Sequence, residues 1–184
     1  GTVSGDLLFA TVTVDGNVSI TEPAGWNVVT ETASAGEVTL GVYSRLATGG
    51  EAGSYTFTWA GSQDVISYIT RFSNTTGSFV ASAAATGTTG APEAPSVNTN
   101  GNVTKPTDNL ILRIAGWDAA GQDPDPATII IDHSNINQDE STDAVGAVSS
   151  AAAYKQQAIA GLSTADQFNT VNEEWVAISI AIEP

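Results

Sequence analysis

Short runs in which apolar and polar residues alternate recur along the chain, separated by clusters of Gly, Pro, Asn, Asp, Ser and Thr. No long stretch keeps a 3.6-residue period, so the pattern predicts strands throughout. Near the start, Leu8, Ala10, Val12 and Val14 share one face, and Asp15-Gly16-Asn17 offers the positive φ angles of a tight hairpin turn. A partner strand over residues 18–23 should follow. Residues 37–45 alternate with Val38, Leu40 and Val42 inward. "SYTFTWAG" places Tyr55, Phe57 and Trp59 on a single face. Residues 65–72 are apolar on both faces, which leaves the buried side open.

Beyond these, residues 86–102 are rich in Gly, Pro, Thr and Asn and read as a long extended connection without a folded element. Residues 109–115 form another strand, with Leu110, Leu112 and Ile114 inward. "ATIIID" (residues 127–132) reads as a short buried strand. The Ala-rich segment 141–161 could hold a helical turn, but Gly146, Ser149 and Ser150 weaken it, and strand is preferred from about Ser150. The chain closes with Val176, Ile178, Ile180 and Ile182 in a strict period-2 stripe. The expected fold class is all-β: a single antiparallel β-sandwich over residues 1–184, jelly-roll-like.

An internal repeat suggests how that sandwich is built. Residues 6–16 align with 108–118, so that Leu8, Ala10 and Val12 match Leu110, Leu112 and Ile114. Without gaps, Tyr43, Phe57, Val65 and Ile69 match Tyr154, Phe168, Val176 and Ile180. Two similar Greek-key halves, residues 1–85 and 103–184, are the expectation, with residues 86–102 as the crossover. An apolar strand this near the beginning needs cover on its edges. The cover can come from elsewhere in the chain, from a neighbour, or from a strand that precedes it.

Composition narrows the role. With 41% hydrophobic residues the chain can bury a core. It has no cysteine, which excludes disulfides, thiolate metal sites and a thiol nucleophile. The formal charge is -15, from 20 acids scattered among 5 bases. Such a surface repels nucleic acid and suits an exposed, soluble protein or a saline medium. No apolar run approaches the ~18 residues that span a bilayer.

Taken together, the Gly-Asp-Leu-Leu strand, the Pro-Ala-Gly-Trp turn at residues 23–26, Tyr-Ser-Arg before Ser-Tyr-Thr-Phe-Thr-Trp, and the closing Trp-x-Ala-x-x-x-Ala strand resemble an uncharacterised β-sandwich family. Its members are found in bacteriophage structural proteins and bacterial surface or secreted proteins. The resemblance covers almost the whole chain and implies a sandwich fold. It carries no catalytic motif, so it transfers no catalytic, cofactor-binding or metal-binding residue. Similar members begin with a further strand ahead of Gly-Asp-Leu-Leu.

Trp26 could stack on a sugar, but in a Pro-Gly turn it more simply folds back to cover the sandwich end. Trp59, Trp117 and Trp175 belong in the core or at its rim. Asp118, Asp123 and Asp125 put three carboxylates in one loop, as calcium prefers, yet they match no EF-hand spacing and lie beside Pro124 and Pro126. Residues 137–143 read as a solvated loop. His133 is the single histidine. Without a nucleophile elbow or a second metal ligand it reads as an ordinary loop residue. Sequons at Asn17, Asn74 and Asn102 are within chance for this composition. No catalytic residue, cofactor or metal is assigned. The expected function is a non-enzymatic virion structural protein at the particle surface (capsid decoration, head fibre or tail fibre), working by assembly with itself or with other structural proteins. The alternative is a secreted or cell-surface filament subunit or a glycan-binding adhesin. Either would be extracellular or virion-exposed, with no nucleic acid and no membrane insertion.

Overall fold

The opening strand is apolar on both faces because both faces are covered. The computed structural model describes residues 1–100, 108–119, 130–141, 146–169 and 172–183, and all their regular structure is strand. The strands are β1 (Leu7–Asp15), β2 (Asn27–Ser34), β3 (Val38–Leu46), β4 (Val65–Phe72), β5 (Phe79–Gly87), β6 (Glu93–Ala94), β7 (Asn109–Asp118), β8 (Ser134–Glu140), β9 (Val148–Gln157), β10 (Asp166–Gln167) and β11 (Trp175–Ile182). They form a four-stranded sheet, β2-β3-β1-β4, and a five-stranded sheet, β5-β11-β7-β9-β8, with β6 and β10 as a small ribbon. All pairings are antiparallel.

The two sheets pack face to face as a β-sandwich. Leu7 and Phe9 of β1, Val38, Leu40 and Val42 of β3, and Ile66 of β4 meet Leu112 and Ile114 of β7 and Val176, Ile178, Ile180 and Ile182 of β11. The side of β4 left open by its sequence is thereby decided: Ile66, Tyr68 and Phe72 face this core. The sheets approach closely where Gly116 opposes Thr13. A Cβ at Gly116 would lie 2.6 Å from Thr13 Cγ2, so only glycine fits.

Leu8, Ala10, Val12 and Val14 do share a face, but it is the outer one. They pack beneath Ile20, Trp26 and Tyr43, with Tyr55, Phe57 and Trp59 closing over them. The latter three keep the alternation expected of a strand, yet their segment makes only an isolated bridge, Thr21 to Thr58. The turn at Gly16 ends β1 without making a hairpin. Both neighbours of β1 come from later in the chain, β3 on one side and β4 on the other. The first strand is thus central, and its edges are covered from within.

Four further expectations need revision. β2, β5 and β8 were not read as strands; β2 and β8 each contain a bulge that interrupts alternation, and β5 is built from small residues. The loop expected at 137–143 is, up to Glu140, the end of β8. Of the strand expected at 127–132, the described residues form a turn, with Asp132 at φ 63. Residues 86–100 are not a free connection, since β6 pairs with β10 and Asn98 bridges Leu162.

The two sheets repeat one another. The chain runs through β1, β2, β3 and β4 in the spatial order β2-β3-β1-β4, and through β7, β8, β9 and β11 in the order β8-β9-β7-β11. Each half therefore stays within one sheet instead of wrapping around both as a jelly roll does; only β5 crosses to extend the other sheet. The bulge at Val29 lies opposite Tyr43 and Val42, and the bulge at Ile136 lies opposite Ala153 and Ala152. Matching bulge to bulge sets Leu7 and Phe9 on Leu110 and Leu112, Val38 on Val148, and Ile66 on Val176. All of these face the core. The correspondence read from sequence is slipped by one residue on each strand it aligned. It keeps the ladder pairings but sets outward Leu8 on inward Leu110, because a one-residue slip in a strand exchanges its faces.

Candidate functional site

On the outer face of the five-stranded sheet the repeat places different chemistry. Ala10 of the first half corresponds to Arg113 in the second, Tyr43 to Ala153, Arg45 to Lys155, and Trp26 to His133. The last pair is supported by matching turns. Trp26 N–H donates to Pro23 O at 3.2 Å and His133 N–H to Ile130 O at 3.1 Å, with Gly25 and Asp132 both at positive φ.

In the first half this face is filled by aromatic rings. Trp26 is 4% exposed and meets Tyr55 and Phe57 edge-on, at 5.2 and 5.8 Å between centroids. The Tyr43 hydroxyl donates to Glu31 at 2.6 Å, and burial pushes its ionisation well above the ordinary value. At the rim, Glu51 accepts from Arg45 at 3.1 Å, from the Thr48 N–H at 2.6 Å and from the Tyr55 hydroxyl. These donors, the Tyr55 hydroxyl foremost, lower the Glu51 carboxyl to about 2. The Arg45 guanidinium also sits 5.4 Å from the Tyr55 ring centroid. Trp26 is therefore structural and presents no platform to a sugar.

In the second half, Arg113 is buried to 2% exposure beneath the crossover and the 157–169 segment. Its Nε donates to His133 Nε2 at 3.2 Å. One terminal nitrogen reaches Ala94 O and Pro95 O, each at 3.2 Å, and Ser179 Oγ at 2.9 Å. The other donates to Thr164 O and pairs with Asp166 at 2.8 Å. Arginine can only donate, so His133 Nε2 is an acceptor and Nδ1 carries the proton, donated to Ile131 O at 3.1 Å. The imidazole is accordingly neutral, and burial pushes its pKa down. His133 is not the ordinary loop residue expected of it; its side chain is fully enclosed.

This cluster is a staple. All five guanidinium N–H groups are engaged internally, and the free lone pair of His133 is taken by Arg113. Neither group is left to bind an anion or to move a proton. The signal for it stood in the sequence, since an Arg interrupting the apolar run of β7 has to find partners when buried.

Beside the staple lies a cavity of ≈ 370 Å³ walled by Ile111, Lys155, Gln157, Ile159, Leu162 and Asp166. Ile159 and Leu162 are 78% and 71% exposed. Lys155 has no ion pair among the described residues.

Among the described residues the remaining candidates do not converge. Asp118 is buried at the end of β7, its N–H bonded to Glu174 O, while Asp123 and Asp125 lie outside the described residues. Among the described residues no group of His, Cys, Asp or Glu is arranged to hold a metal. Asn17 and Asn74 are exposed; Asn102 lies outside the described residues. Trp117 and Trp175 are buried and Trp59 is half-buried. No described helix is long and apolar enough to cross a membrane. Comparison with family models, with curated proteins and with solved structures finds no match.

Proposed function

We propose that this protein is a non-enzymatic structural component exposed on a virion surface, as capsid decoration, head fibre or tail fibre, and that it acts by assembly. The observation that carries this reading is β5. It is nine residues long and ends the five-stranded sheet. It carries no ionisable side chain although the chain as a whole has a charge of -15. Ser82, Ala84 and Thr86 are exposed along it. Monomeric proteins protect such edges with lysine, proline or bulges; β5 has a bulge at Val80, near its start, and from Ala81 to Gly87 it runs in unbroken register with β11, without lysine or proline. An edge without charges on an acidic molecule favours association there over its charged faces.

A secreted or cell-surface filament subunit would use the same edge, and differs in whether the assembly closes or grows. The test is molar mass by light scattering across protein and salt concentration, together with electron microscopy. Closed, uniform oligomers support the virion reading and open-ended fibres the filament. Ala84→Lys should return the protein to monomer. A chain that stays monomeric throughout, with Ala84→Lys indistinguishable from it, would count against assembly through β5.

A further inference from the structure

The repeat supplies an internal standard for the cavity beside Lys155. In the first half the corresponding cation, Arg45, is met by a carboxylate and an aromatic ring from its own chain, Glu51 and Tyr55. The two halves run the same number of residues from matched Leu46 and Gln156, in β3 and β9, to matched Val65 and Trp175, which open β4 and β11. Along them Glu51 corresponds to Gly161 and Tyr55 to Ala165, and Trp26 has already been matched to His133. The cation is kept while its carboxylate and the Tyr55 ring are gone, and the imidazole of His133 stands in the place of Trp26. The crossover fills part of the vacated face, with Val97 packed on Ile111 and Ala181. The cavity is what remains, with Lys155 on one wall and Ile159 and Leu162 at its mouth.

We propose that this cavity binds a small molecule that brings both missing groups: an aryl ring carrying a carboxylate, the ring against Ile111, Ile159 and Leu162 and the carboxylate on Lys155. Three further observations agree. The volume lies in the range of small-ligand sites. Apolar side chains as exposed as Ile159 and Leu162, grouped about one concavity, mark a contact surface more often than bare solvent-facing chain. The single acid in the wall, Asp166, is neutralised by Arg113 at 2.8 Å and does not compete for Lys155. Arg113 itself takes no part, since its donors are spent. This site is independent of β5 and of the assembly proposed for it.

The test uses the full chain and 3-phenylpropionate as probe, followed by two-dimensional amide NMR. The expected result is saturable shifts, in the millimolar range, confined to Ile111, Lys155 and residues 159–164. The neutral amide, 3-phenylpropionamide, should bind at least fivefold more weakly. Lys155→Met, an exposed substitution that leaves the staple intact, should erase that difference between acid and amide. Arg45→Met, at the corresponding place in the first half, should leave it unchanged. The proposal is overturned if the acid produces no saturable shifts, if acid and amide bind the wild type equally, if Lys155→Met preserves the discrimination, or if the shifts map to the outer face of the four-stranded sheet.

Discussion

Replacing Arg113 by Met keeps most of the side-chain volume and removes every donor of the staple. Three backbone carbonyls (Ala94, Pro95 and Thr164), the Ser179 hydroxyl and His133 Nε2 lose their donor, and Asp166 loses its cation. Orphaning one buried acceptor costs ~1–3 kcal/mol, and removing one member of a buried ion pair ~3–5 kcal/mol. These costs overlap. Asp166 is 23% exposed and rehydrates, and the loosened crossover lets water reach the carbonyls. The expected loss is ~4 kcal/mol, a large part of the ~5–15 kcal/mol that holds a typical domain together. Asp166→Asn should cost less, ~2 kcal/mol, because it leaves the buried guanidinium without its counter-charge but with its carbonyl, hydroxyl and imidazole acceptors in place. The assay is urea unfolding at pH 7 monitored by tryptophan fluorescence. Arg113→Lys, which keeps the charge and some of the bonds, should fall between. Limited proteolysis should then cut Arg113→Met first within residues 88–100 and 158–169, the segments the staple ties down. A loss below ~1 kcal/mol for Arg113→Met, or an equal loss for Asp166→Asn, would refute the reasoning.

Other outcomes follow from the same geometry. His133 has a folded pKa below its unfolded value of 6.5, so on acidification the unfolded chain takes up its proton first. The stability this contributes is complete above about pH 6.5 and is lost as pH falls through the folded value; His133→Gln should flatten the decline in urea midpoint between pH 7 and 5.5. Trp26→Ala empties the aromatic cluster of the first half and should cost ~3–5 kcal/mol by thermal or urea unfolding. A cost near zero would mean that its ring is not packed as described. Gly116→Ala drives a methyl into Thr13 and should cost ~1–3 kcal/mol. Most of that loss should vanish in a Thr13→Ala background, and strict additivity in the double-mutant cycle would refute the close approach.

Where burial is simple, the strands were legible from sequence. β3, β7 and β11 carry one unbroken apolar stripe each, and their inward residues were read correctly: Val38 and Leu40, Leu112 and Ile114, Val176 and Ile178. The Ala-rich stretch was likewise rightly preferred as a strand, β9. β2 and β8 were not legible, because Val29 and Ile136 sit on bulges that bring one apolar residue inward out of phase. The aromatic trio Tyr55, Phe57 and Trp59 alternated as a strand does, since one side of any extended segment lying on a sheet is buried whether or not it pairs.

By itself, then, the chain determined that it is all-β and that it has a core. Both follow from local composition and period. Which face of β1 looks into the sandwich was a different matter. Leu7 and Phe9 are as apolar as Leu8 and Ala10, and period-2 alternation cannot rank two buried faces. Only the tertiary structure, by laying Trp26, Tyr55 and Phe57 over one face and the second sheet over the other, made that choice. It also decided the chemistry of the two outer faces. Arg113 and His133, 20 residues apart in the chain, carry no signal as a pair until β7, β8 and the crossover bring them into contact, and Lys155 is one charge among 5 bases until its counterpart Arg45 reveals what it lacks.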